Sequence, residues 1–533
     1  MTASAVPAGA VVTLSTRLLR RGALILALAG GAYVALEVIS YEQSYPTAES
    51  RTRLAAFQDN PAVRMLQGVA RNVDTVGGFV AWDGGWFLET VAAIWALLAV
   101  ARLTRGDEET DRSTLVLMAP LRAPRVLALQ VSVVAASTLL FSATCSTVLI
   151  GYGVPVGGAL LFGLGLTGFT ATVAGLSTVT AQLFDVRRRA VGAAAGLLAL
   201  VYLLRMIGNG ASSQAWLRWL SPYGWMDNLQ PYGGPRWVAL ALLLLSPVAL
   251  LGLAAVLRNH RDAGGAILPS ADTRPAHNRL LGSPVAFAWR LSRGVLLAWG
   301  LGLAAYAAMI GSLLPTMTDY LLDDPALRKS LATYGIDVND ITKGMVSFMS
   351  TMFGLAFALY ACWRVGAARN EEDAGRADLL LARPLTRQRW LGGHLLLTTG
   401  SVLLLAVTTG LAQWAGGAVV DAELSLRQSL SATLNTVPVA LLFATLALLL
   451  MGTRPRLTVA LGASAAGAGY LLPVLGAALD LPSRALDVSP FQHLARVPVH
   501  PYAWTSGLLM LAAAAVLGIV GLWSFSRRDL TGA

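Results

Sequence analysis

Two stretches of this 533-residue chain carry acids and arginines at ion-pairing spacing, and one is a copy of the other. Arg105–Leu127 reads RGDEETDRSTLVLMAPLRAPRVL, and a shift of 264 residues brings Arg369–Leu391, RNEEDAGRADLLLARPLTRQRWL, onto it without a gap. Arg105/Arg369, Glu108/Glu372, Arg112/Arg376, Leu115/Leu379, Leu117/Leu381, Pro120/Pro384, Leu121/Leu385, Arg125/Arg389 and Leu127/Leu391 are identical. Asp107 and Glu109 add carboxylates to the first copy, Glu371 and Asp373 to the second. The chemistry open to such a set is charge-assisted docking. On a merely solvated loop the same residues would form i,i+4 pairs such as Glu108–Arg112 and Glu372–Arg376. The leucine stripes of both copies favour docking, because a solvated loop has no use for them. Each copy is expected to be a short amphipathic piece that ends at Pro120 or Pro384 and fits a groove on a soluble partner.

Other chemistries find little support. His260, His277, His394, His493 and His500 form no HExxH or other metal-ligating spacing. No G-x-S-x-G elbow and no G-x-x-x-x-G-K-[ST] phosphate loop occurs, so this chain is expected to hold no cofactor and no catalytic residue of its own. Gly163-Leu-Gly165-Leu-Thr-Gly168 fits G-x-G-x-x-G, but it lies in an apolar run with no strand before it and reads as helix-packing glycine. Cys145 and Cys362 lie in apolar runs and read as small core residues. Glu37 and Glu89 fall near the outer ends of apolar runs, where interfacial solvation is expected, and no acid stands clearly at a span centre.

The elements that must carry these residues are membrane spans. Only 13% of the residues are charged and the mean hydropathy is +0.61, against about 25% charge in soluble domains. Twelve apolar runs fit spans at roughly 22–41, 85–104, 126–150, 158–183, 190–208, 236–257, 291–314, 344–366, 390–415, 429–451, 457–477 and 501–525. With both termini cytoplasmic, most arginines fall on the inner side and the acids predominate outside, as the positive-inside rule requires. The basic sequence pI near 10.0 is thus explained by topology, with no need of nucleic acid. No cleavable leader is expected after Arg17, Arg20 and Arg21.

The duplication extends across the chain. Leu19, Arg21, Gly22 and Leu24 match Leu291, Arg293, Gly294 and Leu296, and Asn60–Arg64 answers Asp324–Arg328. Tyr202-Leu-Leu matches Tyr470-Leu-Leu, and the turn Ser221-Pro222-Tyr223 matches Ser489-Pro490-Phe491. Two parallel six-helix halves follow, residues 1–257 and 285–533, joined by a cytoplasmic linker over 258–284. The first outer loops, 42–84 and 315–343, are expected to hold short interfacial helices. Residues 216–237, dense in tryptophan and proline, are expected to break the helix into a re-entrant or interfacial turn. Gly192 and Gly196 in span 5, with Gly462 and Gly467 in span 11, permit close approach near the centre of the protein. An apolar cavity lined by spans 2, 5, 8 and 11 would include Trp95, Tyr202, Met206, Phe348, Phe353 and Tyr470.

These features together resemble the ABC type-2 permeases: six-helix units, a charged segment between spans 2 and 3, and a Ser-Pro-aromatic turn after span 5. Two units fused in one chain resemble the actinobacterial "exporter of polyketide antibiotics" permeases, the tetronasin-exporter group. The resemblance implies an all-α, type V exporter-like fold in the cell membrane. It implies that Asp107–Arg112 and Glu371–Arg376 lie in coupling helices seated on two copies of an ABC ATP-binding protein, which hold the ATP and magnesium. Arg17–Arg21 and Trp289–Arg293 would lie on or beside connecting helices, and the cargo would be hydrophobic drugs or antibiotics. Two other classes stay open: an ion-coupled secondary carrier, which would need a buried acid, and a membrane enzyme acting on lipid-linked substrates, for which His493 and His500 near Asp480 and Asp487 are the outer candidates.

Overall fold

The computed structural model describes residues 8–54, 61–110, 112, 121–210, 212–262, 264–268, 282–323, 341–373, 375–382, 384–478 and 482–529. The fold is all-helical; among the described residues the one extended pairing is an isolated bridge between Phe184 and Leu268. Among the described residues twelve helices are long and apolar enough to cross a membrane. Spans 1 to 6 are Ala8–Ser44, Val76–Glu109, Ala123–Gly151, Val156–Leu183, Arg187–Gly210 and Trp237–Asn259. Spans 7 to 12 are Pro284–Pro315, Ile341–Asp373, Arg387–Ala418, Leu426–Thr453, Pro455–Val474 and Trp504–Arg527. Span 1 starts at Ala8, well before its apolar run, because nothing in AGAVVTLSTRLLRR breaks a helix.

The chain divides into two compact units, Met1–Arg274 and Pro275–Ala533. In the first, span 1 packs on span 3, spans 2, 3 and 6 pack on span 4, and span 5 touches spans 2 and 4. In the second, span 7 packs on span 9, spans 8, 9 and 12 pack on span 10, and span 11 touches spans 8 and 10. Spans 4 and 10 are therefore the most buried of each set. Glycine makes this possible in span 4. A Cβ on Gly163 would strike Ser146 Oγ, one on Gly165 would meet Leu229 and Met226, and one on Gly168 would sit 2.8 Å from the Leu243 carbonyl oxygen. The G-x-G-x-x-G match is a packing surface. The second unit's core gathers Phe353, Phe357, Tyr360, Trp390, Met451 and Phe525. Cys145 and Cys362 are buried free thiols, one in each unit.

After span 1 come the short helices Ala48–Leu54, Pro61–Gln67 and Val76–Phe79, the last running through a π-helical turn, Val80–Gly84, into span 2. In the matching loop the helix of span 7 runs on to Asp323, and residues 324–340 lie outside the described set. Over the stretch 216–237, expected to break the helix, a 3-10 helix, Ser212–Leu220, leads into a short α-helix, Pro222–Leu229, and turn residues 230–236 with Pro231 and Pro235 follow before span 6. Pro222 occupies the first turn, where its missing N–H costs nothing, so it starts the helix instead of ending it.

Candidate functional site

The two charged copies fold differently. In the first, Thr104 leaves helical geometry and a short helix, Arg105–Glu109, forms the end of span 2. In the second, span 8 runs unbroken to Asp373; Gly375, at φ +66°, then turns the chain into the helix Arg376–Leu381. Pro120, Leu115 and Leu117 lie outside the described residues. In the second stripe Leu381 and Leu385 pack against the core, Leu379 is exposed, and Pro384 is exposed.

The shared glutamates face inward. Glu108 accepts from Arg105 Nη1 at 2.7 Å and from Arg261 at 2.6 and 3.0 Å, and Arg258 Nη2 lies 3.7 Å from it. Arg105 is fully buried and also donates from Nε to the Ala181 carbonyl at 2.5 Å. Arg261 reaches Gln182 Oε1 at 2.9 Å and the Gly265 carbonyl at 2.7 Å. In the second unit Arg528 Nη2 donates to both oxygens of Glu372 at 2.7 Å, and its carbonyl accepts from Arg387 at 2.5 Å. Arg258 closes span 6 and Arg261 follows it, and Arg528 follows span 12. Each unit thus ties its charged segment to the end of its own last span. The simple i,i+4 pairs do not form in this geometry: Arg112 lies 3.7 Å from Asp107, and Arg376 donates to the Asn370 carbonyl at 3.4 Å.

Groups left facing outward are Glu109, Arg112, Asp373 and Arg376. Glu109 accepts from the backbone N–H of Arg187 at 2.7 Å, and Arg369 pairs with Asp373 at 3.1 Å. Asp107 is buried. Glu371 is buried 3.6 Å from His394, whose Nδ1 lies 3.2 Å from buried Arg364.

The outer turns repeat at the level of atoms. Ser221 Oγ donates to the Val201 carbonyl at 2.6 Å and caps Gly224 N; Ser489 Oγ donates to the Gly469 carbonyl at 2.5 Å and caps Phe491 N. Pro222 and Pro490 each open the helical turn that follows. Tyr223 sits edge-on to Tyr202 with centroids 5.0 Å apart, as Phe491 does to Tyr470 at 5.7 Å. Burial pushes the Tyr223 and Tyr232 phenols above their ordinary range.

Beneath the first turn is a charged cluster that hydropathy concealed. Arg205 of span 5, 1% exposed, pairs with Asp227 through Nε at 2.7 Å and Nη2 at 2.9 Å, and donates to the Leu66 and Gln67 carbonyls. Asn209 donates to Asp227 at 2.7 Å. Glu89 of span 2 feels both charges and is 4% exposed, with Oε2 free of any hydrogen bond within the protein. The expectation of a solvated Glu89 and an uncharged interior is corrected, because short-range packing of the outer helix and spans covers a position that the sequence placed at the water interface.

The six cavity candidates divide between the units. Trp95 lines a groove of about 660 Å³ that includes neither Tyr202 nor Met206. Tyr202 and Met206 are half-buried in span 5, Phe348 packs on Met345 and Val346, and Phe353 is wholly buried against Tyr306. A Cβ on Gly192, Gly196 or Gly467 would meet nothing within 4 Å, whereas one on Gly462 would meet Cys362 Sγ at 3.1 Å.

Twelve apolar helices carrying charged terminal segments define a multi-pass membrane protein, and comparison narrows the class to permeases. The family described as "Multidrug efflux system permease Rv1217c, C-terminal domain" matches residues 11–257 and 281–526, and this chain belongs to it. The multidrug efflux system permease protein Rv1217c of Mycobacterium tuberculosis (strain ATCC 25618 / H37Rv) is 31% identical over 506 residues, covering 92% of this chain and 89% of that protein.

Proposed function

We propose that this chain is the membrane subunit of an ATP-driven exporter of hydrophobic drugs or antibiotics, powered by two copies of a separate ABC ATP-binding protein. The observation that carries the reading is the doubled charged segment, tied in each unit to the end of the last span, in a member of a multidrug efflux permease family. ATP and magnesium belong to the partner, since this sequence has no phosphate-cradling loop. Both termini face the cytoplasm, on the arginine excess of the inner segments. The partner seats on the outward groups of Arg105–Pro120 and Arg369–Pro384, while Glu108 and Glu372 transmit its movement to spans 6 and 12. The fused twelve-span plan fits the tetronasin-exporter group of ABC type-2 permeases.

Isolated chain is expected to hydrolyse no ATP, and co-expression with its ATP-binding protein is expected to yield a complex of two ATPases per permease. Hydrolysis by the chain freed of contaminating ATPase would overturn the reading. Buried Glu89 favours one other reading, a proton- or ion-coupled carrier, since an acid inside a span is what such a carrier needs. Drug movement driven by a proton gradient without ATP, and lost in Glu89→Gln, would establish that alternative.

A further inference from the structure

Three span ends of the first unit meet around the groove of about 660 Å³. The charged residues lining it are Arg17, Arg20, Arg21, Arg102 and Arg187, with no acid among them. The acids of the neighbouring segment do not line the groove. Asp107 lies 3.7 Å from Arg112 and also feels the charge of Arg102 without pairing with it, and Glu109 accepts from the backbone of Arg187, not from its guanidinium. Among the described residues, no carboxylate pairs with the guanidinium of Arg17, Arg20, Arg21 or Arg102, and all four residues are exposed. Five like charges on one concave surface repel one another and call for an anion. The remaining wall is apolar: Leu19, Trp95 and Leu98 lie where the apolar runs of spans 1 and 2 begin and end.

Arginines above an apolar floor, at the plane where membrane helices emerge, match a phospholipid, whose phosphate is charged and whose glycerol and upper chains are not. A soluble anion would gain nothing from the floor. The volume fits a headgroup with its glycerol, within the roughly 300–1,000 Å³ typical of small-molecule sites. The arrangement belongs to one unit. In the registers that align the copies Arg21 faces Arg293, whereas Arg17 faces Trp289, Arg20 faces Ser292, Arg102 faces Gly366 and Arg187 faces Pro455, so the full set of five is present in the first unit alone.

We infer that this groove is a binding site for the headgroup of an anionic phospholipid, held by Arg17, Arg20, Arg21, Arg102 and Arg187. The inference stands whether or not an ATPase docks on the permease. The test is native mass spectrometry and lipid extraction on the full chain in non-ionic detergent, after incubation with phosphatidylglycerol or phosphatidylcholine. Phosphatidylglycerol should remain bound where phosphatidylcholine washes away, and raised salt should weaken it. Removing the three exposed charges together, in R17Q/R20Q/R21Q, should lower phosphatidylglycerol affinity by roughly 100-fold at low salt. R102Q/R187Q should lower it independently, which guards against misfolding of the first variant. R427Q/R484Q/R496Q, which removes equal charge elsewhere, should leave it unchanged. Equal retention of both lipids, unchanged retention in the first two variants, or an equal loss in the third would overturn the site. So would complete displacement by millimolar inorganic phosphate, which would make the groove a soluble-anion site.

Discussion

The two units repeat one outer device and diverge in the charge beneath it. Ser221 and Ser489 each reach back to a carbonyl of the preceding span, and an aromatic two residues later packs edge-on against that span's tyrosine. Under the first turn lie Arg205, Asp227 and Glu89; in the register of the repeat their places are taken by Pro473, Ala495 and Phe353. At the opposite ends Glu108 is set among Arg105, Arg258 and Arg261, while Glu372 is clasped by Arg528. The duplication has kept what shapes the backbone and let charge collect in the first unit. Backbone-shaping contacts are local and cannot be traded away, whereas a buried ion pair can be replaced by apolar residues of similar volume.

The largest effect should come from breaking this asymmetry. Arg205→Ala leaves Asp227 buried without its bidentate partner, and Asp227→Ala does the converse; each should cost about 3–5 kcal/mol. Thermal unfolding followed by size-exclusion chromatography should show a large drop in either single variant. The double variant should recover part of it, and Pro473→Ala in the second unit should do far less. A double variant as unstable as the sum of the singles would deny the pairing.

Next comes the other end. Glu108→Ala leaves three guanidinium groups close together and should cost about 3 kcal/mol. Glu372→Ala frees Arg528, whose side chain is 15% exposed and can hydrate in part, so about 1–2 kcal/mol is expected. Transport should fall in both, more in the first, and equal losses would remove the distinction drawn between the two segments. Gly462→Leu should overpack against Cys362 and cost about 1–3 kcal/mol. A Cβ on Gly467 meets nothing within 4 Å, so Gly467→Leu should leave the melting midpoint in place while stopping transport. The smallest effect is the symmetric one: Ser221→Ala and Ser489→Ala should each cost about 1 kcal/mol, within error of each other.

Much of the architecture was legible in one dimension. The twelve spans follow from runs of apolar residues, and each run carries its own signal. The Ser-Pro-aromatic turn was visible because its parts are adjacent in sequence. Partners separated by long stretches of chain were not. Arg261 reaches Glu108 across 153 residues and Arg528 reaches Glu372 across 156. A signal did exist, in the arginines at or just past the ends of both last spans, but only contact shows which acid they meet. Glu89 was misjudged for the same reason: hydropathy reports distance along a span, and burial depends on what packs across it. The short helix Pro222–Leu229 inside the stretch 216–237 was not legible, because a proline at a helix start and one in its interior look alike in composition and differ only in position.

The most direct test of the exporter account is ATP-dependent accumulation of a bulky hydrophobic drug in inside-out vesicles carrying this chain and its ATP-binding protein. The account predicts accumulation that needs both subunits and hydrolysable ATP, persists when the proton gradient is collapsed, and is lost in Glu108→Ala/Glu372→Ala. Accumulation that follows the proton gradient and ignores ATP would contradict it.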